Sequence, residues 1–221
     1  KDQTRIIKVE ANTLGRSLGE ISAELEDKIS KIPLSGDISI QYGGSVKEQK
    51  EAFADLAIAF VLGILLTYMV MAAQFESFRD PFIIMFSVPF GVVGAIWALL
   101  LTGQTFNITS FIGLVMLVGI VVNNAIVFLD YTIQQKNQGV KIYNALIESG
   151  RVRLRPILMT SVTTIFGMLP LALSRGKGSE GWTPLAVTVI GGLIVSMFIT
   201  LVLIPVVYSL FEERNAEATR N

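Results

Sequence analysis

The sequence predicts a membrane all-α bundle of five transmembrane helices, preceded by a small α+β fragment. Three observations carry this prediction. Charged residues are absent from the middle of five long apolar segments, the mean hydropathy of the 221 residues is +0.59, and the first 50 residues show the shorter periodicities of a water-exposed domain. Crossing the hydrocarbon of a bilayer takes about 20 apolar helical residues, so each apolar segment is long enough to be a span.

Residues 1–50 predict a β-α-β fragment. Ile6–Ala11 has the composition of a short strand, and residues 38–42 alternate apolar with polar side chains, as a second strand does. Between them, apolar residues recur at helical spacing over residues 14–29. About 50 residues are too few to bury a stable core alone, so we expect this fragment to complete a sheet with residues outside the chain. The start at Lys-Asp-Gln also leads us to expect the C-terminal piece of a longer protein.

Residues 51–215 contain the predicted transmembrane domain. A charged helical segment leads directly into the first span, and Pro89 is expected to kink the second span. Residues 132–154 are polar and basic with a weak apolar face, which predicts a cytoplasmic interfacial helix, and residues 212–221 form a charged cytoplasmic tail. The predicted spans cover residues 56–73, 82–101, 108–131, 156–173 and 185–211.

The basic residues of the loops predict the orientation of the spans, because Lys and Arg are enriched on the cytoplasmic side. One side holds eight of them and the other side holds two. We therefore expect the N-terminal segment to be extracytoplasmic and the C-terminus to be cytoplasmic. The eight are Arg79, Lys136, Lys141, Arg151, Arg153, Arg155, Arg214 and Arg220, and the two are Arg175 and Lys177.

The third span carries polar residues that point to function. Asn123 and Asn124 lie at the middle of its apolar segment, and the carboxylate of Asp130 lies at its end. Polar groups at mid-membrane are costly unless they face other helices or a water-filled cavity. Two interpretations remain open. The amides form hydrogen bonds between helices and nothing more, or they line a proton or ion path in which they orient a proton that other groups carry.

The fourth span adds hydroxyl groups near its start, among them Thr160. Hydroxyls on a membrane helix most often bond to carbonyls of their own helix. The alternative is a hydrophilic stripe that faces the same interior as Asn123. Arg153 is expected at the inner membrane face with its charged end in water. Four glycines predict close helix approach, namely Gly113, Gly119, Gly191 and Gly192.

The composition excludes several classes of function. The chain has no Cys and no His, which removes disulfides and the commonest metal ligands, so neither a metal site nor a cofactor is predicted. Its net charge of zero gives no indication of nucleic-acid binding. No nucleophile–base set and no phosphate-binding glycine loop occur in the sequence. We therefore predict no catalytic residue and do not expect an enzyme.

Four ordered segments resemble the C-terminal half of resistance-nodulation-division (RND) efflux pumps of the acriflavine-resistance, AcrB-type multidrug branch. They are MAAQFESFRDPFIIMFSVPF, VGIVVNNAIVFLDY, RLRPILMTSVTTIFGMLPLAL and GSEGWTPLAVTVIGGLI. The resemblance covers nearly the whole chain. It implies that the helices are the last five of a twelve-helix core and that residues 1–50 end a periplasmic porter subdomain.

The resemblance also implies an activity and partners. Family members are proton/substrate antiporters that export drugs or other hydrophobic and amphiphilic compounds. They form homotrimers in the lipid bilayer of the bacterial inner membrane, and they join a periplasmic adaptor and an outer-membrane channel. The remaining N-terminal part of the same pump would be the nearest partner of this chain. Alternatives are a protein-export accessory of the SecD/SecF type, a metal-exporting pump, and a structural half without transport activity by itself.

Particular residues receive roles from the same resemblance. The proton relay of the family uses two aspartates on a helix outside these residues, together with a lysine on the tenth span and an arginine and a threonine on the eleventh. Arg153 and Thr160 match the latter two, whereas Asn123 stands at the position of the lysine. Because an amide cannot neutralise a carboxylate pair, this departure implies either that the charge balance comes from elsewhere or that the relay is wired differently.

Overall fold

The computed structural model describes residues 7–11, 18–33, 40–174, 176 and 181–218, with side chains described as far as residue 212. The chain divides into two compact units, residues 1–54 and residues 55–221. Its described residues form the helices α1 (Leu18–Ser30), α2 (Ser45–Phe75), α3 (Arg79–Met85), α4 (Val88–Thr102), α5 (Ile108–Asn137), α6 (Ile142–Ala172) and α7 (Thr183–Ala218).

The first unit contains α1 and the start of α2, and its described residues form no strand. The predicted β-α-β arrangement is therefore not found. Residues 7–11 and 40–43 have no regular secondary structure, while residues 6, 38 and 39 lie outside the described residues. A strand is stable only when a neighbouring strand takes its hydrogen bonds, and no described residue of this unit offers one. The predicted helix is present as α1, and none of its residues is buried.

Five helical segments are long and apolar enough to cross a membrane, which confirms the predicted number of spans. Polar turns continue several of them beyond the predicted apolar segments, most clearly in α2, which begins at Ser45. α2 is also the most exposed of the five, since Met71 is its one buried residue. The candidate spans are Ser45–Phe75, Arg79–Thr102, Ile108–Asn137, Ile142–Ala172 and Thr183–Glu212.

The second span is broken between α3 and α4, close to the predicted kink at Pro89. Pro89 has no N–H to donate to the carbonyl one turn before it, and it occupies the first turn of α4. The amide of Phe86 bonds to the carbonyl of Ile83 at 3.3 Å, and the amide of Ser87 bonds to the carbonyl of Ile84 at 3.0 Å. Hydrogen bonds between residues three apart are typical of a 3₁₀ turn, which is tighter than an α-helix. This turn lets the direction of the helix change.

The N-terminus of α5 is fixed by a capping box. The side chain of Asn107 accepts a hydrogen bond from the amide of Ser110 at 2.9 Å, and the hydroxyl of Ser110 lies 2.7 Å from the amide of Asn107. This pairing satisfies backbone donors that a helix start otherwise leaves open. Gly103 ends α4 in the left-handed conformation, φ 66°, so a loop of a few residues separates the two helices.

The segment predicted as a separate interfacial helix, residues 132–154, is divided between two spans. α5 continues to Asn137, a short turn follows, and residues 142–154 are the first turns of α6. Burial explains the difference, because the weak apolar face around Ala145 and Leu146 packs inside the protein. The hydroxyl of Thr132 also donates to the buried hydroxyl of Ser149 at 2.9 Å and joins the two helices.

α7 packs closely against both α4 and α5 through two consecutive glycines. A Cβ on Gly191 would lie 2.1 Å from the Cβ of Ala98 in α4. A Cβ on Gly192 would lie 2.1 Å from Cδ2 of Leu117 in α5. No side chain fits at such distances, so the absence of a side chain at both positions allows this packing.

The two glycines predicted to pack on α5 differ from each other. A Cβ on Gly113 would lie 2.9 Å from the carbonyl oxygen of Leu185, so Gly113 does lie at a helix contact. A Cβ on Gly119 would meet nothing within 4 Å. Gly119 instead lines an open groove on the surface of the bundle.

Candidate functional site

A hydrogen-bonded junction of amide and hydroxyl groups joins the middle of α5 to α6. The amide nitrogen of Asn124 lies 3.2 Å from the hydroxyl of Ser161. The hydroxyl of Thr160 lies 3.3 Å from the amide oxygen of Asn124. One asparagine therefore bonds to two consecutive residues of the neighbouring helix.

The junction lies at the boundary between the buried interior and an open groove. Ser161 is completely buried and Asn124 is partly buried, whereas Asn123 and Thr160 are exposed. The side chain of Asn123 has no hydrogen-bond partner among the described residues. The two adjacent amides thus have different surroundings. Asn124 bonds to α6, and Asn123 faces the groove.

The groove runs along α5 and α6 and has a volume of about 550 Å³. It contains the two amides and two hydroxyls in an otherwise apolar wall. Asn123 and Thr160 are exposed, so their polar groups are available to further hydrogen-bond partners. The lining residues are Met116, Gly119, Ile120, Asn123, Asn124, Thr160 and Thr164.

Thr160 has two acceptors for a single hydroxyl proton. Its oxygen lies 3.0 Å from the carbonyl of Ile157 and 3.3 Å from the amide oxygen of Asn124. The first contact is the bond to its own helix that is common for hydroxyls in membranes, and the second crosses to α5. Thr164 bonds to the carbonyl of Thr160 at 2.9 Å and is held within α6.

Arg153 is not part of the junction. Its guanidinium lies over the ring of Tyr131, 4.9 Å from the ring centroid, and its Nε is buried without a hydrogen-bond partner among the described residues. The structure therefore brings Thr160 and Asn124 together, places Asn123 beside them, and leaves Arg153 nearer the end of α5. Tyr131 lies seven residues after Asn124, so the same face of α5 carries both.

The sequence marks Ser161 as one of the hydroxyls of the possible hydrophilic stripe on the fourth span, but it does not identify Asn124 as its partner, and it does not mark Tyr131. Ser161 follows Thr160 directly, and Tyr131 follows Asn124 by two helical turns. The sequence shows both of these spacings. It does not show that α5 and α6 are neighbours, and this pairing decides which hydroxyl and which aromatic ring come into contact.

A second polar cluster joins three helices near the end of α5. The carboxylate of Glu212 in α7 forms ion pairs with Lys136 in α5 and with Arg79 in α3, the latter at 3.9 Å. The guanidinium of Arg79 also lies over the ring of Phe211, 5.2 Å from its centroid. One carboxylate thus connects the ends of three helices that belong to different spans.

The part of the chain that the structure describes contains no group of three or more His, Cys, Asp or Glu side chains that could hold a metal ion. The candidate site is accordingly a neutral one, made of amides and hydroxyls. Such groups hydrogen-bond and orient a charge, but they do not titrate in the physiological range.

Comparison with known proteins places the chain among membrane transporters. The model of the AcrB/AcrD/AcrF family matches residues 1–212. The swarming motility protein SwrC of Bacillus subtilis (strain 168) is 42% identical over 189 residues, which are 85% of this chain and 18% of that protein. The chain therefore spans only about a fifth of the length of this relative.

Two crystal forms of a heavy metal efflux pump have a similar structure. Their TM-scores are 0.79 and 0.78 at 33% sequence identity, and each match covers 90% of this chain and 20% of that pump. Five candidate spans, close helix contacts at glycines and a polar junction at mid-helix are thus found in a chain that a transporter family matches almost throughout. The chain belongs to the AcrB/AcrD/AcrF family of RND transporters.

Proposed function

We propose that this chain forms the C-terminal part of a proton-driven RND efflux pump that exports drugs or other hydrophobic and amphiphilic compounds by proton/substrate antiport. The observation that carries the proposal is the junction of Asn124 with Thr160 and Ser161 beside an open groove. Polar groups at membrane depth that line a cavity are typical of ion pathways. The chain spans only about a fifth of the length of its relatives. The proposal therefore concerns the activity of the whole pump, of which this chain would be one part.

The groove is the place where a helix outside this chain would bring the titrating groups. Asn123 and Thr160 are exposed there and offer hydrogen-bond donors and acceptors. Neither changes its charge in the physiological range, so carboxylates on the facing helix would carry the proton. Asn123 is the best placed amide for that contact, because it lines the groove and its side chain bonds to no described residue.

Thr160 supplies the change of state in this mechanism. An ionised carboxylate on the facing helix accepts hydrogen bonds from the N–H groups of the amides. A protonated carboxyl group instead donates a hydrogen bond, for example to an amide oxygen. The hydroxyl of Thr160 exchanges accordingly between the carbonyl of Ile157 and the amide of Asn124. Two discrete sets of hydrogen bonds favour two packings of α5 against α6.

The assembly is part of the same proposal. Residues 1–50 would end a periplasmic porter subdomain, and the C-terminus would be cytoplasmic, since the basic loop residues are distributed eight against two. The whole pump would form a homotrimer in the bacterial inner membrane, with a periplasmic adaptor and an outer-membrane channel as partners. Membership of the AcrB/AcrD/AcrF family supports this arrangement.

The test uses the full-length pump in proteoliposomes with an imposed pH gradient. Asn123→Ala and Thr160→Ala are expected to abolish gradient-driven export of a fluorescent amphiphilic dye while they leave equilibrium dye binding unchanged. Thr163→Ala is the matched control, because Thr163 is an exposed hydroxyl of the same helix that does not line the groove with the amides. Gradient-driven export at the wild-type rate in both groove variants would reduce the junction to a structural role.

A metal ion is a second candidate cargo, because the similar crystal structures are those of a heavy metal efflux pump. The described residues bring no metal-ligating cluster together, and the chain has no His and no Cys. Ligands for such a cargo would have to come from elsewhere in the pump. Proteoliposomes that export Zn²⁺ or Cu⁺ but no dye would replace the drug proposal with this one.

A further inference from the structure

One face of α6 is exposed over most of the span and does not belong to the groove. Successive residues of an α-helix turn by about 100°, so Met159 and Phe166 lie within about 40° of Arg155 around the axis. Their exposed fractions are 73% and 67%. Thr160, which lines the groove, lies roughly 140° away from Arg155 on the same scale. The outward face of α6 consists of the exposed residues Arg151, Arg155, Met159, Val162, Phe166 and Leu169.

The arginines that precede the apolar part of α6 point to two different sides of the helix. Arg153 stacks on a tyrosine of α5. Arg151 and Arg155 are one helical turn apart on the outward face, and neither forms an ion pair with a described residue. Residues 141–155 contain four basic side chains and one acidic side chain, Glu148. The outward face therefore carries two positive charges for which the described residues provide no counter-charge.

The apolar part of the outward face has the depth of one leaflet of a bilayer. Phe166 follows Arg155 by eleven residues, which corresponds to about 16 Å at a rise of 1.5 Å per residue. Half of a hydrocarbon core of about 30 Å is about 15 Å. A lipid whose phosphate contacts Arg155 would therefore lay an acyl chain along the apolar side chains as far as Phe166.

The charge of this face favours an anionic lipid over other occupants. Arginine presents a planar set of N–H donors that match the oxygens of a phosphate group. A zwitterionic lipid brings a positive charge of its own close to Arg151 and Arg155. An apolar helix over the same face would cover two arginines without supplying a counter-charge, which is costly at the edge of the hydrocarbon.

We propose that the outward face of α6 binds an anionic phospholipid of the leaflet in which the apolar part of α6 begins. The phosphate contacts Arg151 and Arg155, and an acyl chain lies along the apolar residues from Met159 to Phe166. This lipid site is separate from the groove, and it does not depend on the transport of protons.

The experiment uses the full-length pump in vesicles of phosphatidylglycerol and phosphatidylcholine in equal amounts and with identical acyl chains. A photoreactive benzophenone amino acid replaces Met159, about 6 Å along the helix from Arg155, and bonds on illumination to the molecule that covers this face. Mass spectrometry of the α6 peptide identifies the attached lipid. Phosphatidylglycerol is expected to exceed phosphatidylcholine by about 5-fold for each arginine that contacts it.

Two pairs of substitutions test whether the arginines cause the preference. Arg151→Gln together with Arg155→Gln should equalise the yields of the two lipids, whereas Arg151→Lys together with Arg155→Lys should keep most of the preference because both charges remain. Lys28→Gln together with Lys31→Gln is the control. It removes the same charge from two exposed side chains outside the candidate spans and should leave the preference unchanged.

The salt dependence tests the proposal without any substitution of the arginines. Raising the salt concentration from about 0.1 M to about 1 M shortens the screening length from about 10 Å to about 3 Å, so the preference for phosphatidylglycerol should decrease. Equal yields of the two lipids at low salt would overturn the inference, and so would a preference that survives both high salt and the glutamine substitutions. A cross-link to another segment of the pump, or no lipid product at all, would also overturn it.

Discussion

The guanidinium of Arg79 lies 3.9 Å from the carboxylate of Glu212, and this pair joins the first turn of α3 to the distal part of α7. The same carboxylate contacts Lys136. About a quarter of the Glu212 side chain is exposed, so the pair is screened less than a fully exposed one. Three helix ends are therefore held by one acidic residue.

We expect Glu212→Gln to lower the thermal stability of the detergent-solubilised pump, because two cations lose their shared counter-charge. The loss should be about 1 kcal/mol, the upper part of the range for partly exposed ion pairs. The apparent midpoint of thermal unfolding measures it. Glu76→Gln is the control, since Glu76 is exposed and makes no ion pair with a described residue. An equal decrease in both variants would contradict the prediction.

Gly191→Ala should disrupt the contact between α4 and α7, because the new methyl group would lie 2.1 Å from the Cβ of Ala98. Overpacking of this kind costs about 1–3 kcal/mol. Adding Ala98→Gly should recover part of the loss, and the yield of folded pump together with its unfolding midpoint measures both effects. Gly119→Ala serves as the control, because a Cβ at Gly119 meets nothing within 4 Å. A destabilised Gly119→Ala variant with a normal Gly191→Ala variant would reverse the expected order.

Asn124 and Ser161 should be coupled energetically. Each substitution to Ala removes their 3.2 Å hydrogen bond, so the double variant should lose less stability than the sum of the single ones. Hydrogen bonds between membrane helices give coupling energies of about 0.6 kcal/mol. A double-mutant cycle of unfolding free energies measures the coupling. Strict additivity would mean that the bond contributes nothing to stability.

Asn107→Ala should loosen the first turn of α5 because it removes the capping box with Ser110. A lost N-cap costs about 0.5–2 kcal/mol. Hydrogen exchange at the amides of residues 108–111 should become faster, while exchange in the middle of α5 stays the same. Asn107→Asp retains an acceptor at the same place and is expected to preserve the wild-type exchange rates.

The membrane part of the fold could be predicted from the sequence because each span is specified locally. About 20 consecutive apolar residues, Pro89 near a break and Asn107 before a helix start are features that need no knowledge of distant residues. The strands predicted over residues 6–11 and 38–42 are not found among the described residues, and the physical reason is the opposite one. Alternation of side chains marks a possible strand, but only a neighbouring strand completes its hydrogen bonds.

The sequence predicts which residues belong to the candidate site, but it does not predict which of them contact each other. Asn124 and Thr160 stood out as polar groups inside apolar segments, and the structure joins them. The roles of Gly119 and Glu212 depend on which helices become neighbours, and this information is spread over the whole chain. Gly119 has the spacing of a packing residue but faces the groove. Glu212 begins the segment that the sequence predicts as a charged tail, whereas the structure continues α7 through it and pairs Glu212 with Arg79.

The neutrality of the junction has an electrical consequence. Asn124, Thr160 and Ser161 carry no net charge, so a membrane potential does almost no work when they exchange hydrogen bonds. A lysine at position 123 would be different, since moving one charge through 100 mV corresponds to about 2.3 kcal/mol. With Asn123 in place, the groove wall of α5 and α6 contributes no charge of its own to the voltage dependence of the proposed transport.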